Sequence, residues 1–243
     1  MSASLPELVE RLEVQWNLVY NWVKPFGNDV LGHKDQPSAL PGWSIGELIA
    51  HLGRAISALA GAQAAPNGTI AWSLAEYLGT YPERASEISV STVELATQIA
   101  ADPLAEIQAM AQASITNLKS LVQNGVSVVQ ARRGYVTLRD MAVSRLIELV
   151  VHAQDLLDSL RPYLDLHPTG NPIDPRSQEI VAQELLAIVT ARGGWDLQIS
   201  DPNLWIRLAT GRQKYNSTDL SRALYIDDAA GGVPDLGRAI PVL

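Results

Sequence analysis

Arg145-Leu146-Ile147-Glu148-Leu149-Val150-Val151-His152-Ala153-Gln154-Asp155-Leu156 is the stretch that decides how this chain folds. Its spacing predicts a helix from about Leu138 to Ser159, ended by Arg161-Pro162. Glu148 and His152 stand four residues apart, so they project from one face about one turn apart. Leu149, Val150, Val151 and Leu156 crowd the neighbouring positions. A carboxylate in that setting is costly unless its charge is compensated, and a bound cation would compensate it. Asp155, three residues past His152, shares much of this face and suits a partner that orients a ligating imidazole.

Outward from that helix, the rest of the first two-thirds also reads as helical. Leu5, Leu8, Val9, Leu12, Val14, Trp16, Leu18, Val19 and Trp22 predict a first helix over Leu5 to Lys24, which Pro25 and Gly27 end. Ser44-Ile45-Gly46-Glu47 has the form of a capping box. It opens a second helix carrying Ile45, Leu48, Ile49, Leu52, Ile56 and Leu59 and ending near Gly61. A long connection follows, with a short helix around Ser73 to Leu78. A third helix is expected over Val90 to Val122, with Asp102-Pro103 as a possible interruption and Asn124-Gly125 as its stop. Val126 to Val136 has weak strand character. Four helices suggest a bundle over residues 1–163.

Leu166 to Pro175 holds three prolines and a glycine and reads as a linker. Residues 174–243 then read as a small α/β domain, with a helix over Ser177 to Thr190. Its strand-like segments are Trp195 to Ile199, Leu204 to Leu208 and Ala223 to Ile226. The fold class expected is α+β.

Composition narrows the function. The 243 residues are 47% hydrophobic and 18% charged, enough for a substantial core. Acidic residues outnumber basic ones 26 to 18, for a net charge of −8, which repels phosphate backbones and anionic lipid. No nucleic-acid or membrane partner is expected. The N-terminus reads as the start of a helix, not as a signal peptide, and no apolar run approaches the ~20 residues that span a bilayer. A cytoplasmic protein follows. There is no cysteine, so thiolate metal sites are excluded and any thiol chemistry uses a thiol from outside.

Four histidines are available. His51 lies mid-way along the second helix, one turn after Glu47 and three residues before Arg54. A lone histidine on an apolar helix face is usually a hydrogen-bonded core residue, and a Glu–His pair at i,i+4 is usually a surface pair. Spacing alone therefore leaves metal binding as one reading among others.

Gly42-Trp43-Ser44-Ile45-Gly46-Glu47-Leu48-Ile49-Ala50-His51-Leu52, taken with Arg145 to Leu156, resembles the two signature helices of the mycothiol-dependent maleylpyruvate isomerase family. That family sits within the DinB-like group of metal-binding four-helix bundles. The resemblance spans the first two-thirds of the chain. It implies a divalent metal, zinc foremost, held by His51, Glu148 and His152, with mycothiol as thiol cosubstrate and an actinobacterial setting. A His2Glu set with one open position is also what catalytic zinc requires, although imidazole and carboxylate accept nickel and iron as well.

Further on, Asp201-Pro202-Asn203-Leu204-Trp205-Ile206-Arg207-Leu208-Ala209-Thr210-Gly211-Arg212 resembles a segment of the sterol-carrier-like domain found behind such bundles. The same resemblance makes Arg212 an active-site residue able to grip a substrate carboxylate. The other reading of Arg212 is an exposed arginine after a turn glycine.

The implied reaction is addition of a metal-activated thiol to a cis double bond, rotation, and elimination to the trans isomer. Related members transfer the thiol instead. The substrate is then a small anionic or electrophilic molecule, with Asp155 orienting His152 and the chain a monomer or homodimer. Trp43 and Trp72 suit either a cleft lining or the core, and Arg132 and Arg133 suit either an anionic substrate or a solvated turn. Two other classes stand beside the enzyme. One is an apolar-ligand carrier with a non-catalytic metal site; the other is a metal-stabilised interaction module, favoured if Asp155 closes the fourth metal position.

Overall fold

A computed structural model describes residues 2–164, 170–193, 195–226 and 232–242. The linker expected from Leu166 lies outside the described residues as far as Thr169, and His167 with it. Four long helices form the bundle: α1 (Leu5–Val23), α2 (Ile45–Ser57), α5 (Pro103–Gln123) and α6 (Leu138–Leu160). Helix α6 is the central member, with 18 of its 23 residues buried, Arg145, Glu148, His152 and Asp155 among them. It packs on α1 and α2, and α5 packs on both of those in turn. Leu8, Leu12 and Trp16 of α1, Leu48, Leu52 and Ile56 of α2, Ile107 and Leu118 of α5, and Leu146 and Leu149 of α6 fill the interior. Helices α2 and α5 cross closely at Gly53, where a Cβ would lie 2.6 Å from Cγ2 of Ile107.

The third helix expected from the sequence is two helices, α4 (Ala85–Gln98) and α5, broken at Asp102-Pro103. Pro103 takes the first helical turn, where its missing N–H costs nothing, and the Asp102 carboxylate accepts from Ala105 N–H. Helix α4 then packs against α2. The short α3 (Leu74–Gly79) opens with a second capping box, Ser73 and Glu76. Strands β1 (Gln63–Ala64), β2 (Val128–Ala131) and β3 (Gly134–Thr137) form an antiparallel sheet in that order, with Arg132-Arg133 at the turn of the β2–β3 hairpin. Gly134 has φ +154° and lets the Trp72 ring lie against it.

In the C-terminal part, α7 (Pro175–Gly193) lies along α6 and α1, α8 (Pro202–Ala209) on α7, and α9 (Ser217–Ala223) on α8. Strands β4 (Gln198–Ile199) and β5 (Leu224–Tyr225) make a two-stranded ribbon. Leu204 to Leu208, read from sequence as strand-like, is the body of α8. Asp201-Pro202 starts it with the same cap as Asp102-Pro103, the carboxylate accepting from Leu204 N–H at 3.0 Å. Asp174-Pro175 starts α7 likewise, with Ser177 N–H donating at 2.8 Å. The apolar run between Asn203 and Ala209 is too short for its period to distinguish helix from strand. The cap decides it.

Among the described residues, four polar side-chain pairs join the C-terminal part to α6: Arg139 with Glu184 of α7, Gln154 with Asn203 (3.1 Å), Asp158 with Arg207 (2.6 Å) and Asp155 with Arg212 (3.1 Å). Among the described residues no helix is long and apolar enough to cross a membrane.

Candidate metal centre

Helix α2 is pinned at its start by the Ser44–Glu47 capping box, and two turns later it presents His51 to α6. There Glu148 and His152 face it. All three are nearly withdrawn from water, at 4%, 9% and 7% exposure, and their ligand atoms lie within 4.8 Å of one another. The His51 Nε2 stands 3.5 Å and the His152 Nε2 3.1 Å from the same atom, Oε2 of Glu148. The two imidazoles meet edge to face, with centroids 4.5 Å apart.

The outer nitrogens are both occupied. Nδ1 of His51 pairs with Oγ1 of Thr92 at 3.1 Å, and Nδ1 of His152 with Oδ2 of Asp155 at 2.9 Å. Such partners fix ring orientation and leave each Nε2 lone pair for the inner side. Two neutral-capable nitrogens and one carboxylate oxygen converging in this way are a donor set that fits a divalent cation.

Electrostatics agree. Burial, then the neighbouring His152, pushes the His51 pKa from 6.5 down to about 4, so His51 is neutral and able to ligate at pH 7. For Glu148 burial works to raise the pKa. Hydrogen bonds from His152 and His51 and the charge of Arg145 overcome it and hold the carboxyl well below its usual range. For His152 burial pulls down, but Asp155 and Glu148 outweigh it and raise the pKa above 6.5. A proton and a cation therefore compete for His152. Since ligation needs His152 deprotonated, apparent metal affinity should climb as pH rises through and above 6.5, with proton release on loading. Calorimetric zinc titrations in buffers of different ionisation enthalpy read both. An affinity flat between pH 6 and 8 contradicts this assignment.

The triad forms part of the wall of a cavity of about 320 Å³, shared with Trp43, Tyr81, Arg54, Arg145 and Arg212. The Trp43 ring lies 4.6 Å from that of His51. Asp155 does not reach the Nε2 side. Its carboxylate is taken by Nδ1 of His152 and by the Arg212 fork, at 3.1 and 3.3 Å. Among the described residues the cluster holds no fourth His, Asp or Glu.

Every site residue expected from the sequence among His51, Glu148, His152, Asp155 and Arg212 thus comes to one place. His33 does not: it stacks on Tyr163, centroids 3.7 Å apart. Trp72 lies against the β2–β3 hairpin.

Sequence reasoning missed Thr92, Tyr81 and Arg145. Arg145 had a signal, an arginine three residues before Glu148 on an apolar helix. It is buried, donating to the Ala55 carbonyl at 2.9 Å and to the Tyr81 hydroxyl.

The family model described as the mycothiol maleylpyruvate isomerase N-terminal domain matches residues 32–157, a span containing α2, most of α6 and the whole triad. A solved structure, the crystal structure of the mycothiol-dependent maleylpyruvate isomerase, aligns over 96% of this chain and 95% of that one. Its TM-score is 0.57 at 17% identity, which shows a shared fold of the α+β class with a DinB-like bundle. No curated protein matches the chain.

Proposed function

This chain belongs to the family of the mycothiol maleylpyruvate isomerase N-terminal domain, and on that premise we propose that it is a metal- and thiol-dependent enzyme, an isomerase or S-transferase, acting on a small electrophile. The observation that carries the proposal is the convergence of both histidine Nε2 atoms on Oε2 of Glu148 beside a cavity. His51, Glu148 and His152 hold the cation, and zinc is the metal that a His2Glu set with an open side suits best. When bound, the cation supplies positive charge that makes a thiol acidic enough to be nucleophilic at neutral pH.

The chain's own residues supply the rest. Neutral His51 and the Asp155-held His152 keep their lone pairs directed inward. Trp43, tilted over His51, shields that side from water. Arg212, bonded to Asp155 and lining the cavity, grips a substrate carboxylate while keeping the Asp155–His152 contact in place. Residues 1–163 form the metal-binding unit and residues 174–243 a second unit that contributes Arg212. Mycothiol is the thiol the family points to. A free thiol cosubstrate also fits a reducing, cytoplasmic setting.

The test is direct: zinc-loaded protein with mycothiol and maleylpyruvate, the cis and trans isomers followed by NMR, beside a thiol-transfer assay on a general electrophile. Turnover in either that needs the thiol and disappears in His152→Ala supports the proposal. No turnover in both, from protein holding its metal, overturns it. Arg212→Lys keeps the charge and loses the fork. It should lower kcat/KM about 10- to 100-fold, the worth of a charged hydrogen bond or two, with metal content unchanged.

A further inference from the structure

A second cavity, of about 470 Å³, adjoins the metal cavity and shares Arg54, Arg133 and Arg145 with it. Five arginines line it, these three with Arg84 and Arg132, against a single carboxylate, Glu87. In a chain of net charge −8 that is a local reversal of sign. Glu87 is already committed to Arg84, whose Nε and Nη2 reach it at 2.9 and 2.6 Å. Arg145 spends its donors on neutral oxygens. Arg133 lies over the Tyr81 and Tyr77 rings, 3.9 and 4.7 Å from their centroids, and donates to Thr80.

Arg54 and Arg132 are different. Among the described residues neither guanidinium has a hydrogen bond or an ion pair. Arg54 is half-buried, and burial, then the charge of Arg132, with Arg145 and Arg133 adding to it, pushes its pKa down against the opposing charge of Glu148. Five guanidinium groups against Glu87, with Glu148 the other acid acting on Arg54, leave an excess of positive charge that favours a bound anion.

The position is set by the helices of the metal centre. Arg54 follows His51 by three residues on α2, and Arg145 precedes Glu148 by three on α6, so one wall serves both cavities. The hairpin turn Arg132-Arg133 supplies a further part of the lining.

We infer that this second cavity is an anion subsite, in which Arg54 and Arg132 grip a dianionic group, a phosphate or a pair of carboxylates. Two unengaged forks match two anionic charges, because each guanidinium can offer parallel N–H groups to a planar or tetrahedral oxyanion. The group is carried on the electrophile that reacts at the metal centre, which makes the substrate class an electrophile with a dianionic tail. This last step rests on the metal-centre reading above; capture of the anion does not.

The experiment is calorimetric titration of the full chain with inorganic phosphate and, separately, with maleate. At least one should bind, and the tighter of the two identifies the tail as phosphate or dicarboxylate. Arg132 is exposed and, among the described residues, without a hydrogen-bond or ion-pair partner, so Arg132→Gln leaves the fold intact. It should weaken binding about tenfold, and Arg54→Gln/Arg132→Gln about 100-fold. Arg222→Gln, on α9, should change nothing. His152→Ala should retain anion binding even where metal is lost, which separates this inference from the metal-centre reading. No binding of either probe, or equal binding by wild type and Arg132→Gln, would overturn the subsite.

Discussion

Replacing Glu148 by glutamine is expected to abolish stable metal loading and all thiol-dependent turnover. The amide has the same shape, but it withdraws the one carboxylate oxygen that faces both Nε2 atoms and offers N–H donors in exchange. Loss of a partner behind a ligand typically weakens metal binding about 10- to 100-fold; loss of a ligand itself should cost more. The metal-free protein should suffer too. Glu148 compensates Arg145 and, with Asp155, His152, so its loss leaves the buried Arg145 without its carboxylate, at a cost of about 3–5 kcal/mol.

That cost has a definite pH dependence. The folded Glu148 pKa lies well below 4.5, so its contribution is fully present above about 4.5 and disappears as pH falls through the folded value. Urea titrations of wild type and Glu148→Gln should therefore differ most at neutral pH and converge in acid. The His152 pKa should fall in the variant, since Glu148 is one of the two carboxylates raising it, and NMR of the imidazole would show this. Equal metal affinity in the two proteins would remove Glu148 from the ligand set.

Trp205→Ala should be the most damaging change outside the metal centre. Trp205 is fully buried on α8 and donates its indole N–H to the Ala182 carbonyl of α7 at 3.0 Å. Truncating a packed tryptophan costs about 3–5 kcal/mol. Because α8 leads through Thr210 into Arg212, loosening it should also release the Arg212–Asp155 contact and lower kcat/KM. The triad stands on α2 and α6 and should keep its metal. Chemical denaturation, metal content and kinetics on one preparation read all three outcomes. A variant as stable and active as wild type would mean that α8 does not position Arg212.

These residues also show what a sequence can reveal. Helix α6 was legible because Leu146, Leu149, Val150, Val151 and Leu156 recur through its middle, and Glu148 and His152 stood out as polar groups among them. The start of α2 was legible from Ser44 and Glu47. The break at Asp102-Pro103 was visible only as a possibility, and the same dipeptide at Asp201-Pro202, which makes α8 a helix, was passed over in favour of the apolar pattern. Local chemistry outranked pattern there.

The partners of the metal centre were harder to read. Thr92 comes from α4 and Tyr81 from the connection before it, and only folding brings them beside His51 and Arg145. The arginine cavity draws on α2, the hairpin turn and α6, separated by up to about ninety positions, so no local spacing announces it. Asp155 and Arg212 were recognised individually, but their mutual bond is a tertiary fact.

The central claim is that His51, Glu148 and His152 hold one divalent cation. Elemental analysis of the purified protein beside His51→Ala and His152→Ala tests it most directly. The account predicts about one zinc or equivalent metal per chain in the wild type and its loss in both variants, with the helical signal retained. A wild type that takes up no metal even after incubation with zinc, or variants that hold as much as it does, would contradict the account.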